Sequence, residues 1–86
     1  MQILKFYADW CVPCRQLEKT IAESELPVPV ESIDVDSSSD LPPKYKVRGV
    51  PTLVFVDSEG NEISRKVGSI MKQELQSWVE NCLNAN

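Results

Sequence analysis

The chain has 86 residues, 42% hydrophobic and 26% charged, with a net charge of −4. That composition describes an ordinary globular domain over residues 1–86, and no apolar run approaches the roughly 18 residues of a membrane helix, so neither disorder nor a membrane span is expected. Thirteen acidic against nine basic residues, without a lysine or arginine cluster, exclude a phosphate backbone as partner, so no nucleic acid is expected. Three cysteines are an odd number, so a fully paired disulfide framework is ruled out. Histidine is absent, which removes the usual general base for a cysteine nucleophile and the commonest nitrogen ligand for a metal. The opening M-Q-I-L-K-F-Y lacks the basic flank, long apolar stretch and small-residue cleavage site of a secretory signal, so a cytoplasmic location is expected. The chain is also expected to be a monomer.

Gln2–Tyr7 reads as a strand, with Leu4 and Phe6 on one face and Ile3, Lys5 and Tyr7 on the other. Over residues 11–23 the spacing becomes helical, Cys14, Leu17 and Ile21 forming one stripe. Pro13 falls in the first turn, where its missing N–H costs nothing. L-P-V-P-V at 26–30 ends that helix and begins a second strand over 30–34. Strand, short helical crossover, strand predicts a parallel, right-handed unit. Residues 36–40 form a Ser-rich acidic loop, and 41–47 hold at most a short helix. The run T-L-V-F-V-D at 52–57 is apolar enough for a strand buried on both faces. S-E-G-N at 58–61 is a turn of hairpin length, so the following strand over 62–67 should pair antiparallel with it. Gly68 breaks that strand, and Leu75, Trp78, Val79, Cys82 and Leu83 then mark a final helix over 71–83 whose apolar face packs on the sheet. On this stripe Trp78 is core and Cys82 is a buried, inert thiol.

D-W-C-V-P-C-R at 9–15 places two cysteines two residues apart, directly after the first strand. As a staple, a Cys11–Cys14 bridge would contribute about 2 kcal/mol at most, against about 3 for a loop of about 15 residues. As a metal site it lacks ligands, since a closed zinc site needs four and only Cys82 remains, unless a dimer shares the metal. As a reagent it has a mechanism. A thiol at a helix start faces unpaired N–H groups and the positive end of the macrodipole, both favouring thiolate. If that is worth about 1.4 kcal/mol, the pKa falls about one unit from about 8.5 and the thiolate fraction at pH 7 rises from about 3% to about 24%. Cys11 is thus the expected nucleophile, and Cys14, one turn further in and expected to be less exposed, the resolving thiol.

F-Y-A-D-W-C-V-P-C-R at 6–15, K-Y-K-V-R-G-V-P-T-L at 44–53 and K-V-G at 66–68 are similar, in order and spacing, to the corresponding stretches of the thioredoxin family. The resemblance spans nearly the whole chain. It implies the thioredoxin fold, dithiol–disulfide exchange with protein substrates, and no bound cofactor beyond the Cys11–Cys14 disulfide. It also implies a cis Val50–Pro51 bond beside that disulfide; the bland alternative is a trans proline at a strand start. By the same resemblance the substrate groove comprises Trp10, Val12, Pro13, Val50, Pro51, Gly68 and Ser69, with the Val50 main chain pairing an extended substrate segment. Trp10 also admits a plain reading as a partly buried aromatic.

Three departures from the family pattern stand out. The family's earlier strand and helix do not precede residue 2, so the expected fold is a minimal α/β version, βαβ then ββα, with a four-stranded mixed sheet flanked by helices and thinner cover on one sheet face. Lys5 stands where thioredoxins usually bury an aspartate. Either its stem lies on apolar surface while the ammonium reaches water, or it tunes the thiolate of Cys14, balanced by Glu31 or Asp34. Val12 replaces the usual glycine within the redox loop, adding apolar surface beside Cys11. The expected electron donor is a thioredoxin reductase. A glutaredoxin-like enzyme recharged by glutathione is the rival, against which W-C-V-P-C and V-G-S-I-M-K differ from the glutaredoxin C-P-Y-C and paired-glycine patterns. A peptide-binding module without turnover is the alternative from another class.

Overall fold

These spacings become seven elements in a computed structural model that describes residues 1–38 and 40–85. In chain order they are β1 (Gln2–Tyr7), α1 (Val12–Ala22), β2 (Val30–Asp34), α2 (Leu41–Lys44), β3 (Thr52–Val56), β4 (Glu62–Val67) and α3 (Lys72–Asn84). They build a four-stranded mixed sheet in the order β2-β1-β3-β4. β1 runs parallel to β2 and antiparallel to β3, and β3 pairs antiparallel with β4, as the crossover helix and the tight turn require. α1 starts one residue later than its periodicity suggested because Cys11, in extended backbone, is its N-cap. At the β3–β4 turn the Asp57 carboxylate accepts the N–H groups of Glu59 and Asn61, each at 2.9 Å. These hydrogen bonds, the Asn61 N–H foremost, hold its carboxyl below the ordinary range.

β3 is buried from end to end, because both sheet faces are covered. On one face Ile3, Leu53 and Phe55 pack under Leu17 of α1 and Leu75, Trp78, Val79 and Cys82 of α3. Trp78 meets Phe55 edge-on at 6.0 Å and donates its indole N–H to Ser64 Oγ at 3.0 Å. Burial pushes the Cys82 thiol up in pKa, away from reactivity at neutral pH. On the other face Leu4, Phe6, Val54 and Val56 pack with Ile33 and Tyr45. This face has the thinner cover expected from the sequence, the four-residue α2 against α1 and α3 opposite, yet it is closed. Phe6 is fully buried because the segment after α2 folds back, placing the Tyr45 ring 6.2 Å from it and donating the Tyr45 hydroxyl to Gly60 O at 2.6 Å.

The strand directions decide where chemistry can occur. β1, β2 and β4 end at the edge where β3 begins, so residues 8–14, 35–36, 50–51 and 68–69 converge there from four parts of the chain.

Candidate active site

At this edge Cys11 and Cys14 are joined in a disulfide, their Cα atoms 5.3 Å apart. Cys11 takes its place because β1 ends one residue after Phe6, and a turn closed by the Cys11 N–H on Ala8 O (3.2 Å) leads into α1. As N-cap it orients Sγ toward the helix: the Cys14 backbone N–H donates to Cys11 Sγ at 3.2 Å. The first turn of α1 carries no acidic side chain to oppose a negative charge there. One expectation needs correction. Cys14 is not the less exposed of the two, since both residues are 4% exposed in this oxidised state. Both sulfurs pack into one small cluster with Ala8, against which Tyr7, Val35 and Val50 lie. What separates the two cysteines is their position on the helix, cap against first turn.

Val50 thus reaches the disulfide from the far side, and the Val50–Pro51 peptide bond is cis. Thr52 Oγ1 ties this corner by donating to Gly49 O at 2.7 Å. The Gly68 N–H donates to Pro51 O at 2.8 Å, so the end of β4 is pinned to the corner. Gly68 has φ of 92°, a left-handed conformation that any side chain would strain. Trp10 and Val12 project into solvent, at 69% and 59% exposure, and Pro13 and Ser69 are exposed as well. Two further apolar side chains were overlooked in the sequence: Val67 and Met71, which flank Gly68 and Ser69 and are equally exposed. These exposed apolar side chains lie at the sheet edge that carries the buried disulfide.

Trp10 is not simply a loose surface aromatic. Its indole N–H donates to Asp36 Oδ2 at 3.0 Å across 26 positions of sequence. Parallel β1 and β2 end side by side, so a residue just past β2 meets one just past β1; that geometry is the signal that could have found Asp36. An exposed hydrogen bond of this sort contributes about 0.5–1 kcal/mol to holding Trp10 in place. In an Asp36→Ala variant the KM for a protein disulfide should therefore rise about two- to fivefold, with thermal unfolding nearly unchanged. An unchanged KM would show that Trp10 needs no anchor.

Lys5 lies opposite Leu53 in the sheet register, on the face covered by α1 and α3, and is 6% exposed. Its ammonium sits 5.4 Å from the centre of the Tyr7 ring. It makes no hydrogen bond to a described residue. No enclosed polar side-chain atom among those residues lacks a partner, so the ammonium tip reaches water. Tyr7 in turn lines a cavity of about 290 Å³ that opens onto Cys14. Burial, then the negative charges of Asp34, Asp9 and Glu18, raise the Tyr7 phenol above its ordinary pKa. Among the described residues no group of three or more His, Cys, Asp or Glu side chains comes together as metal ligands do, and no helix is long and apolar enough to cross a membrane.

A dithiol at the start of a helix, packed against a cis X–Pro corner at the carboxyl edge of a mixed sheet, defines a thiol–disulfide oxidoreductase. The family model described as Thioredoxin matches residues 1–81. A thioredoxin of Rhodospirillum rubrum is 38% identical over 79 residues, covering 87% of this chain and 75% of that protein. Among solved structures, a mutant thioredoxin from Halobacterium salinarum superposes with a TM-score of 0.81 at 39% identity, covering 93% of this chain and 72% of that one. Fasciola hepatica thioredoxin gives 0.78 at 31% identity, covering 93% and 78%. The chain belongs to the thioredoxin family, and its activity is that of a protein disulfide reductase working through the Cys11–Cys14 disulfide rather than a bound cofactor.

Proposed function

We propose that Cys11 is the attacking thiol and Cys14 the resolving one, in a single domain spanning 1–86 that acts as a cytoplasmic monomer. The observation that carries the assignment is the Cys14 N–H directed at Cys11 Sγ at the start of α1. In the reduced protein that donor and the helix dipole stabilise a thiolate at Cys11 in particular. The thiolate attacks one sulfur of a substrate disulfide, and the other leaves as a thiolate. Cys14 then attacks Cys11 Sγ, closing the intramolecular disulfide and releasing the substrate with both its sulfurs reduced. The substrate segment lies along Trp10, Val12 and Pro13 on one side and Val50, Pro51, Gly68 and Ser69 on the other. Its backbone pairs with the Val50 main chain, and its apolar side chains reach Val67 and Met71. Although its tip reaches water, the Lys5 ammonium stands beside Tyr7, which lines the cavity that reaches Cys14, and from there it favours the Cys14 thiolate. In a Lys5→Met variant the thiol pKa values should rise; unchanged pKa values and turnover would remove Lys5 from the site.

The oxidised protein is recharged by a thioredoxin reductase drawing on NADPH. Insulin reduction followed in parallel with thioredoxin reductase plus NADPH, and with glutathione plus its reductase, tests this donor. Turnover in the first system is expected. Turnover in the second alone would overturn the assignment in favour of glutathione.

A further inference from the structure

Cys14 belongs to two surroundings at once. It packs with Cys11 and Val50, and it also forms part of the wall of the cavity of about 290 Å³ whose other walls are Tyr7, Ala8, Asp9, Arg15 and Glu18. None of the groove residues Trp10, Val12, Pro13, Val50, Pro51 or Gly68 lines this cavity. A space of that size, with Asp9, Arg15 and Glu18 among its walls, holds several waters at roughly 30 Å³ each. The resolving step has a requirement that the groove does not meet. Cys14 is almost wholly enclosed, yet its thiol must shed a proton before it attacks, and the chain has no histidine to take it.

The titratable and charged groups lining the cavity are Tyr7 from β1, Asp9 from the following turn, and Arg15 and Glu18 from α1; Lys5 of β1 and Asp34 of β2 lie near Tyr7 outside it. Lys5 and Arg15 are cations. Tyr7 keeps its proton, its pKa being raised by burial and the surrounding carboxylates. Arg15 lies against the Asp9 end, where its guanidinium donates to Asp9 O at 3.0 Å, so that end carries a compensating positive charge. Glu18 is four residues after Cys14 on α1, which places the two side chains side by side on one helix face. No ion pair among the described residues occupies its carboxylate.

We infer that Glu18 accepts the Cys14 thiol proton, through water in this cavity, when the mixed disulfide is resolved. The inference rests on the assignment of Cys11 as attacking and Cys14 as resolving thiol. The Cys14 S–H bond gives its proton by way of water to the Glu18 carboxylate, and the resulting thiolate forms the bond to Cys11 Sγ. The Cys11–substrate S–S bond breaks, its electron pair leaving on the substrate sulfur, and that thiolate takes up one proton, returned by the Glu18 carboxyl through water. The two thiol sulfurs are oxidised by two electrons in all and the substrate disulfide is reduced by two. Glu18 is thus a positioning residue for a proton, acting through solvent rather than by contact with substrate.

The test is single-turnover kinetics on the full chain, with mixed-disulfide formation and substrate release followed separately from about pH 6 to 9. Glu18→Gln should slow release about tenfold at neutral pH, below the range for a directly placed general base, and leave formation unchanged. The deficit should shrink as pH rises and the thiol ionises unaided. Glu18→Asp should restore part of the rate, and unaltered thermal unfolding should accompany all of these results. A release rate and pH profile identical to wild type in Glu18→Gln, or a loss confined to Asp9→Asn, would overturn the inference. Failure of the wild type to form a mixed disulfide on Cys11 would instead overturn the assignment of roles beneath it, and the inference with it.

Discussion

A Cys14→Ser variant should accumulate protein substrates covalently bound to Cys11, whereas a Cys11→Ser variant should capture none. The reason is geometric. With Cys14 present, the second thiol is held within bonding reach of Cys11 Sγ, the pair being closed as a disulfide in the oxidised state. A well-oriented internal nucleophile is equivalent to about 10⁵ M or more of a free one, whereas the thiols available in solution are millimolar. Loss of Cys14 should therefore cut turnover by about a thousandfold or more while leaving the first attack intact. Non-reducing electrophoresis and mass spectrometry after incubation with oxidised insulin read the result directly. Adducts that form on Cys14 in the Cys11→Ser protein, and not on Cys11 in its counterpart, would reverse the two roles.

Phe55→Ala should be the most damaging of the simple core substitutions, and it separates packing from the disulfide as a source of stability. Phe55 is fully buried in the middle of β3, between Ile3 and Leu53 of the sheet and Trp78 of α3. Removing such a ring costs about 3–5 kcal/mol. A domain of this length has only about 4–13 kcal/mol in all. At about 4–8 °C per kcal/mol the melting temperature should fall by about 12 °C or more. Reducing the Cys11–Cys14 disulfide, which closes a loop with a sequence separation of 3, should cost about 2 kcal/mol at most. Thermal unfolding of the wild type in both redox states, beside the variant, makes the comparison. A larger drop on reduction than on Phe55→Ala would mean that the bridge is a staple after all.

The elements were legible because their signals are local. Alternation and an apolar run mark β1 and β3, the 3.6-residue spacing of Leu75, Trp78, Val79 and Cys82 marks α3, and S-E-G-N between two strands marks a hairpin. The redox pair was legible for a similar reason. Two thiols at a helix start need only the geometry of one turn, and the Cys14 N–H on Cys11 Sγ realises it. How the thinly covered face closes was not legible, since burial of Phe6 depends on Tyr45 swinging back over it and being tied to Gly60, contacts that no periodicity encodes. The equal burial of the two cysteines was not legible either, because it is set by Ala8, Val35 and Val50 from separate segments.

By itself, then, the amino-acid order determined which segments could be strand or helix and which two residues could exchange electrons. Both follow from backbone hydrogen bonding and side-chain spacing within about a dozen neighbouring residues. The tertiary structure alone decided that β1 lies inside the sheet, that four chain segments meet at one edge, that Asp36 anchors Trp10, and that Tyr7, Asp9 and Glu18 surround an approach to Cys14. Those are consequences of strand order and direction. They depend on how whole apolar faces are shared between elements, a balance of many weak contacts that no short stretch of sequence carries.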